Sequence, residues 1–152
     1  MIIYFITTYI ASGAEKLLHQ LAEEASKEYK VLVVVLTGKS EFKSSRYQQL
    51  RLNIDKNNPL TLISASVSLV KVLKKYSSEN DLLFHAHMSH AILLCRMLYV
   101  FSFLYARRPP ECIETFHNSI EGPCLRKLAL RWTEYISKAS RTVVSVSYTH
   151  LR

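Results

Sequence analysis

The stretch IIYFITTYIASGAEKLLHQLAEEASKEYKVLVVVL, residues 2–36, holds two apolar runs separated by an amphipathic segment. Ile2 to Ile6 and Val31 to Leu36 lack polar alternation, the pattern of parallel strands covered on both faces. Between them Ala14, Leu17, Leu18, Leu21, Ala22 and Ala25 recur at helical spacing, while Glu15, Lys16, Glu23, Glu24, Lys27 and Glu28 fill the other face. Together these segments predict a βαβ unit.

The alternation continues outward from this unit. Residues 37–58 are polar and predict a loop with a short helix around Ser44 to Leu52. PLTLIS (59–64) predicts a third strand, Val67 to Tyr76 a helix with a basic face, and Asp81 to His85 a fourth strand. A helix over 88–106, a strand across ECIETF (111–116), a helix from Pro123 to Ala139 and a last strand from Thr142 complete the pattern. Pro109-Pro110 terminate the long helix, and Pro123 suits a first helical turn. The expected fold is α/β and Rossmann-like: an open, mostly parallel sheet with helices on both faces and ligands beyond the carboxyl ends of the strands.

A chain of 152 residues suits one domain with a real core. The formal net charge of +8 favours anionic partners, whether nucleic acid, phosphorylated metabolites or an acidic membrane face. No recognition-helix or RNA-sheet motif accompanies the charge, so nucleic acid is not expected. Cys95, Cys112 and Cys124 are odd in number and lack CxxC spacing, which argues for a reducing, cytosolic setting. The first charge after Met1 is Glu15, so the opening run lacks the basic start of a signal peptide.

MSHAILLCRMLYVFSFLYA (88–106) has the length of a bilayer-spanning helix, but Arg96 sits near its middle. A central Arg costs roughly 2.5–3.5 kcal/mol on insertion, which favours a helix packed on a sheet. Arg107-Arg108 follow, placed to touch anionic headgroups without crossing the membrane.

Three polar groups fall at expected strand ends. Ser12-Gly13 precede the amphipathic helix, and two readings stand: a phosphate site at the helix N-terminus, or an ordinary turn with Ser12 as cap. The only glycines are Gly13, Gly38 and Gly122, so neither dinucleotide nor P-loop motifs occur. His85 and His87, at i, i+2, share a strand face if the strand extends that far, and line a crevice or satisfy backbone groups. With His90 they make a zinc trio on paper, but no nearby carboxylate or cysteine completes the shell, and no metal is expected. His117 follows a buried strand and precedes Asn118 and Ser119. Its imidazole either binds a sugar hydroxyl or takes a proton, or else it is buried and orients the loop. Cys112 and Trp132 read as core.

Taken in order, SGAEKLLHQLAEEASKEYKVLVVVL, DLLFHAHMSHAILLCRML and IETFHNSIEG resemble the N-terminal domain of GT-B glycosyltransferases of the glycogen-synthase-like, retaining type (glycosyltransferase family 4). The likeness runs from Ile2 to about Val144. It implies an acceptor-side domain facing a second domain that binds the nucleotide-sugar donor. It implies that Ser12 and Gly13 lie near the donor diphosphate and His117 near the transferred sugar, with His85, His87, Asn118 and Ser119 along the cleft. The family commonly has two glycines in the first loop, and here Ser12 takes the first position.

The activity implied is transfer of a sugar to a hydroxyl acceptor in cell-surface polysaccharide or glycolipid synthesis. No metal or cofactor is implied. The acceptor is a sugar or lipid-linked, and the setting is cytoplasmic, with peripheral contact to the anionic inner membrane face. The domain is assigned to residues 1–145. VSYTHLR (146–152) resembles translated adapter sequence and is read as a non-native tail, leaving a fragment without its donor half and inactive by itself. The rival reading is a non-catalytic α/β module that binds phosphorylated ligands or another anionic partner.

Overall fold

The strands Ile2–Ile6 (β1), Val31–Val35 (β2), Gln48–Arg51 (β3), Leu83–His87 (β4), Glu111–Phe116 (β5) and Arg141–Ser145 (β6) form one sheet. Every pairing is parallel, and the spatial order is β3-β2-β1-β4-β5-β6. Among the described residues the helices are Gly13–Ala25 (α1), Pro59–Ser77 (α2) and Ser89–Val100 (α3), followed by a 3₁₀ turn at Ser102–Leu104. The computed structural model describes residues 1–55, 58–77, 81–116 and 141–145. The helix expected over 123–139 lies outside these residues. The Rossmann-like α/β expectation is met.

β1 is central because its sequence allows burial on both faces. Ile3 and Phe5 join β2's Leu32 and Val34, β4's Phe84 and Ala86, and the inner sides of α2 and α3 in one core cluster. Tyr4 and Ile6 point the other way, into a second cluster with Val33, Val35 and the α1 residues Leu18 and Ala22. Right-handed crossovers thus set α1 on one face and α2 and α3 on the other.

Several expectations are corrected. PLTLIS is not a strand but the first turns of α2. The Asn58 Oδ1 accepts the Leu60 N–H at 3.0 Å, and Pro59 takes the first helical position, where its missing N–H costs nothing. The expected helix around Ser44 to Leu52 is instead the strand β3, which among the described residues pairs only with β2 and forms the sheet edge. On α1 the buried line is Glu15, Leu18 and Ala22, whereas Leu17 and Leu21, placed on the apolar stripe by periodicity, are about 40% exposed. The strand expected at Asp81 to His85 is shifted by two residues to Leu83–His87, so that His87 belongs to it.

The long helix expected over 88–106 ends at Val100, and among the described residues no helix is long and apolar enough to cross a membrane. Arg96 turns inward to a bidentate pair with Glu114 of β5. Its Nε and Nη2 each donate to a carboxylate oxygen at 2.7 Å, and both side chains are almost fully buried. Beside the pair, Cys95 and Cys112 lie with their sulfurs 4.0 Å apart. The contact with Cys112, and then burial, push the Cys95 thiol up, so it stays a neutral packing group. Removing one partner of a buried bidentate pair strands the other charge. Arg96→Ala is therefore expected to destabilise the fold by about 3–5 kcal/mol in urea unfolding, and the double change Arg96→Met with Glu114→Leu to recover most of that loss.

Candidate functional site

The strand order reverses beside β1. The chain moves outward through β2 and β3, then returns to the other edge of β1 with β4, so the carboxyl ends of β1 and β4 open into a crevice. In register, Ile6 lies beside His87. The loop after β1 and the end of β4 therefore share one rim, as expected from the sequence.

The loop after β1 is anchored by aromatic packing. Tyr9 is fully buried, with its hydroxyl 2.9 Å from that of Tyr47, and His19 Nδ1 lies 2.7 Å from the Tyr47 hydroxyl. The His19 ring stacks on Phe42 at a centroid distance of 4.7 Å. Tyr9 also bridges to Ser40, and its carbonyl accepts the Glu41 N–H at 2.9 Å. Residues 40–47 thus clasp the β1–α1 loop from outside.

Ser12 caps α1 by position, in extended backbone, without a side-chain bond to the first-turn N–H groups. Its hydroxyl instead donates to Glu15, whose other oxygen accepts the Thr8 hydroxyl at 3.0 Å. Glu15 is 3% exposed. A second carboxylate, Glu41, accepts the Ala11 N–H at 2.8 Å. The positive end of the helix dipole is thus already faced by two of the protein's own carboxylates. Neither was expected at the site. The signal for Glu15 was available, since Ser12-x-x-Glu15 has capping-box spacing, whereas Glu41 arrives by tertiary folding.

Gly13 opens on free space: a Cβ built there meets no atom within 4 Å. The fold itself makes no demand for glycine at this point, so any demand comes from a ligand approaching the backbone.

On β4, His85 and His87 project from the same face, as their spacing implied, with ring centroids 4.3 Å apart. Tyr4 of β1 packs against both. His85 Nε2 lies 2.9 Å from the Thr115 hydroxyl of β5, and His87 is buried. Thr7 Oγ1 is buried with no hydrogen-bond partner among the described residues. It was not singled out in the sequence. Between β4 and α3, Met88 adopts φ 73° and ψ 152°, a conformation that costs a side-chain-bearing residue about 1–3 kcal/mol and tends to occur at functional turns. His117, Asn118 and Ser119 lie outside the described residues.

Chemically the rim offers hydroxyls, imidazoles and carboxylates, a set suited to binding hydroxylated ligands. Among the described residues no three His, Cys, Asp or Glu side chains gather as metal ligands.

Two expectations follow. Gly13→Ala should raise stability by about 0.4–1 kcal/mol through the unfolded chain, and should weaken binding of any ligand that approaches this backbone; calorimetric unfolding and titration report the two effects separately. Burial, above all, raises the pKa of Tyr9 and Tyr47. Their contribution to stability is therefore complete below about pH 10, where unfolded tyrosine ionises, and is lost as pH rises beyond it. The urea midpoint should fall above about pH 10, and Tyr9→Phe should make that fall shallower.

The family model described as Glycosyltransferase Family 4 matches residues 11–152. No curated protein matches the chain.

Proposed function

The chain belongs to Glycosyltransferase Family 4, and on that premise we propose that it is the acceptor-side, N-terminal domain of a retaining, two-domain GT-B enzyme. The enzyme moves a sugar from a nucleotide-sugar donor to a hydroxyl acceptor, free or lipid-linked, on the cytoplasmic side, in cell-surface polysaccharide or glycolipid synthesis. The observation that carries this reading is the crevice at the strand-order reversal, where the β1–α1 loop and the His85–His87 pair share a rim. The donor domain supplies most of the nucleotide site, and this domain alone does not catalyse transfer.

In this reading the donor diphosphate passes close to Gly13, whose open face admits it, with the exposed Ser12 beside it. The leaving diphosphate gains negative charge as the glycosidic bond breaks, and donors aimed at it are worth most in a water-poor cleft. Glu15 and Glu41 oppose that charge within the first loop, so compensating cations come from the donor domain. His85, His87, Asn118 and Ser119 line the acceptor cleft, and His117 stands by the transferred sugar, where it binds a hydroxyl or handles a proton. No metal takes part. The same carboxylates weigh against a stand-alone phosphate-binding module.

The test is an enzyme that carries this chain together with its donor domain, supplied with a panel of nucleoside-diphosphate sugars and hydroxyl acceptors. Nucleoside diphosphate should be released in step with glycoside, and NMR of the product should show the donor's anomeric configuration kept. Inversion at the anomeric carbon, or hydrolysis without transfer, would overturn the reading. His117→Ala should lower turnover by roughly 10²-fold or more without altering the unfolding temperature, the range for a lost proton-transfer group. Unchanged turnover would remove His117 from the mechanism.

A further inference from the structure

We propose that the first turn of α3, with Thr7 beside it, is a phosphate site and, resting on the acceptor-side reading above, that the acceptor carries a phosphate group. Thr7 is 3% exposed, and its Oγ1 has no hydrogen-bond partner among the described residues. Its direction follows from its neighbours. Ile6 enters the cluster under α1 and the Thr8 hydroxyl donates to Glu15 of α1, so Thr7 between them turns to the opposite face, where α3 lies. Ile6 stands beside His87, which brings Thr7 level with Met88, the residue at the cap of α3.

The same turn leaves backbone donors unmet. Met88 gives α3 no side-chain cap, and the first intrahelical bond runs from the Ile92 N–H to the Met88 carbonyl at 3.0 Å. The N–H groups of Ser89 and Ala91 meet no acceptor among the described residues, and Ala91 is wholly buried. Buried N–H groups without an acceptor are rare in folded proteins. A hydroxyl at the end of β1 and N–H groups at the start of α3 call for one acceptor-rich group, and the helix dipole favours an anion in that place.

Charge selects this helix end over the other. The N-terminus of α1 already faces Glu15 and Glu41, whereas the first turn of α3 contains no acidic residue. Glu114, on the same face of the sheet as α3, is held by Arg96. Met88, Ser89 and His90 are half-buried, so the turn opens on the crevice between β1 and β4, while Thr7 and Ala91 lie behind it. The Thr7 hydroxyl, sealed in the free chain, becomes a donor to a phosphate seated at Ser89 by turning about its Cα–Cβ bond. A phosphate presents oxygens in several directions, which suits donors from two segments better than a planar carboxylate does.

The experiment is an amide NMR titration of the 152-residue chain with inorganic phosphate at constant ionic strength. Saturable shifts centred on Ser89 to Ile92 are expected. Thr7→Val should weaken binding about tenfold or more, the range for a lost hydrogen bond to a charged group, without lowering the melting temperature, since it removes a buried hydroxyl that is unpaired in the free chain. Thr7→Ser keeps the hydroxyl and should keep the binding. Absence of saturable shifts, shifts centred on Ala11 to Glu15, equal binding by wild type and Thr7→Val, or loss of binding in Thr7→Ser as well would overturn the proposal. Glucose 1-phosphate and a short-chain phosphatidic acid kept below micelle formation then separate the two sources of the group. Tighter binding than inorganic phosphate by the first indicates a soluble sugar phosphate and by the second a lipid-borne phosphate, while tighter binding by neither overturns the assignment to an acceptor. The titration reads no sugar transfer, so it can fail while transfer holds, and transfer can fail while it succeeds.

Discussion

A strand that must satisfy neighbours on both edges and bury side chains on both faces has little freedom, and β1 is that strand. Its parallel pairing with β2 and β4 leaves no edge for solvent, and its alternate side chains enter two separate cores. Each face then requires a helical cover, and the handedness of the crossovers assigns α1 to one and α2 with α3 to the other. The crevice is a by-product of this arrangement. Because the chain leaves β1 toward β2 and later returns on its opposite side, the two loops that diverge from the shared edge cannot close over it.

The parts of the fold legible in the sequence are those whose burial leaves a local signature. β1 and β2 read as apolar runs, and α1 as an amphipathic helix, because each keeps its pattern over several residues, while β5 was placed across ECIETF by the alternation of strands and helices. β3 escaped notice since Gln48, Gln49, Leu50 and Arg51 form an edge strand, held by backbone bonds to β2 and largely washed by solvent, with no apolar pattern to declare it. PLTLIS misled for the opposite reason: its apolar residues resemble a short strand, yet Leu60 and Ile63 face outward in a helix that Asn58 and Pro59 start. The usual link between apolar character and burial fails there, and at Leu17 and Leu21 of α1.

The site divides in the same way. The pairing of His85 with His87 follows from the two-residue period of a strand, and the place of Ser12-Gly13 follows from a strand giving way to a helix. The clasp around Tyr9 does not follow from local sequence. Tyr9, His19, Phe42 and Tyr47 come from three separated segments and meet only in the folded chain. Glu15 shows how a charged residue in an apparently solvated pattern is drawn inside when two hydroxyls and a helix terminus are waiting for it.

The Arg96–Glu114 pair carries a consequence for the birth of the chain. Glu114 is made 18 residues after Arg96, so this ion pair forms only after α3 has been made. During that interval the apolar segment whose length matches a bilayer carries a cation near its centre. To machinery that sorts nascent segments by their cost of entering lipid, this charge argues against insertion. Once β5 emerges, the same guanidinium is neutralised and sealed into the core. One residue thus raises the segment's cost of entering lipid while it is being made and ties it to the sheet afterwards.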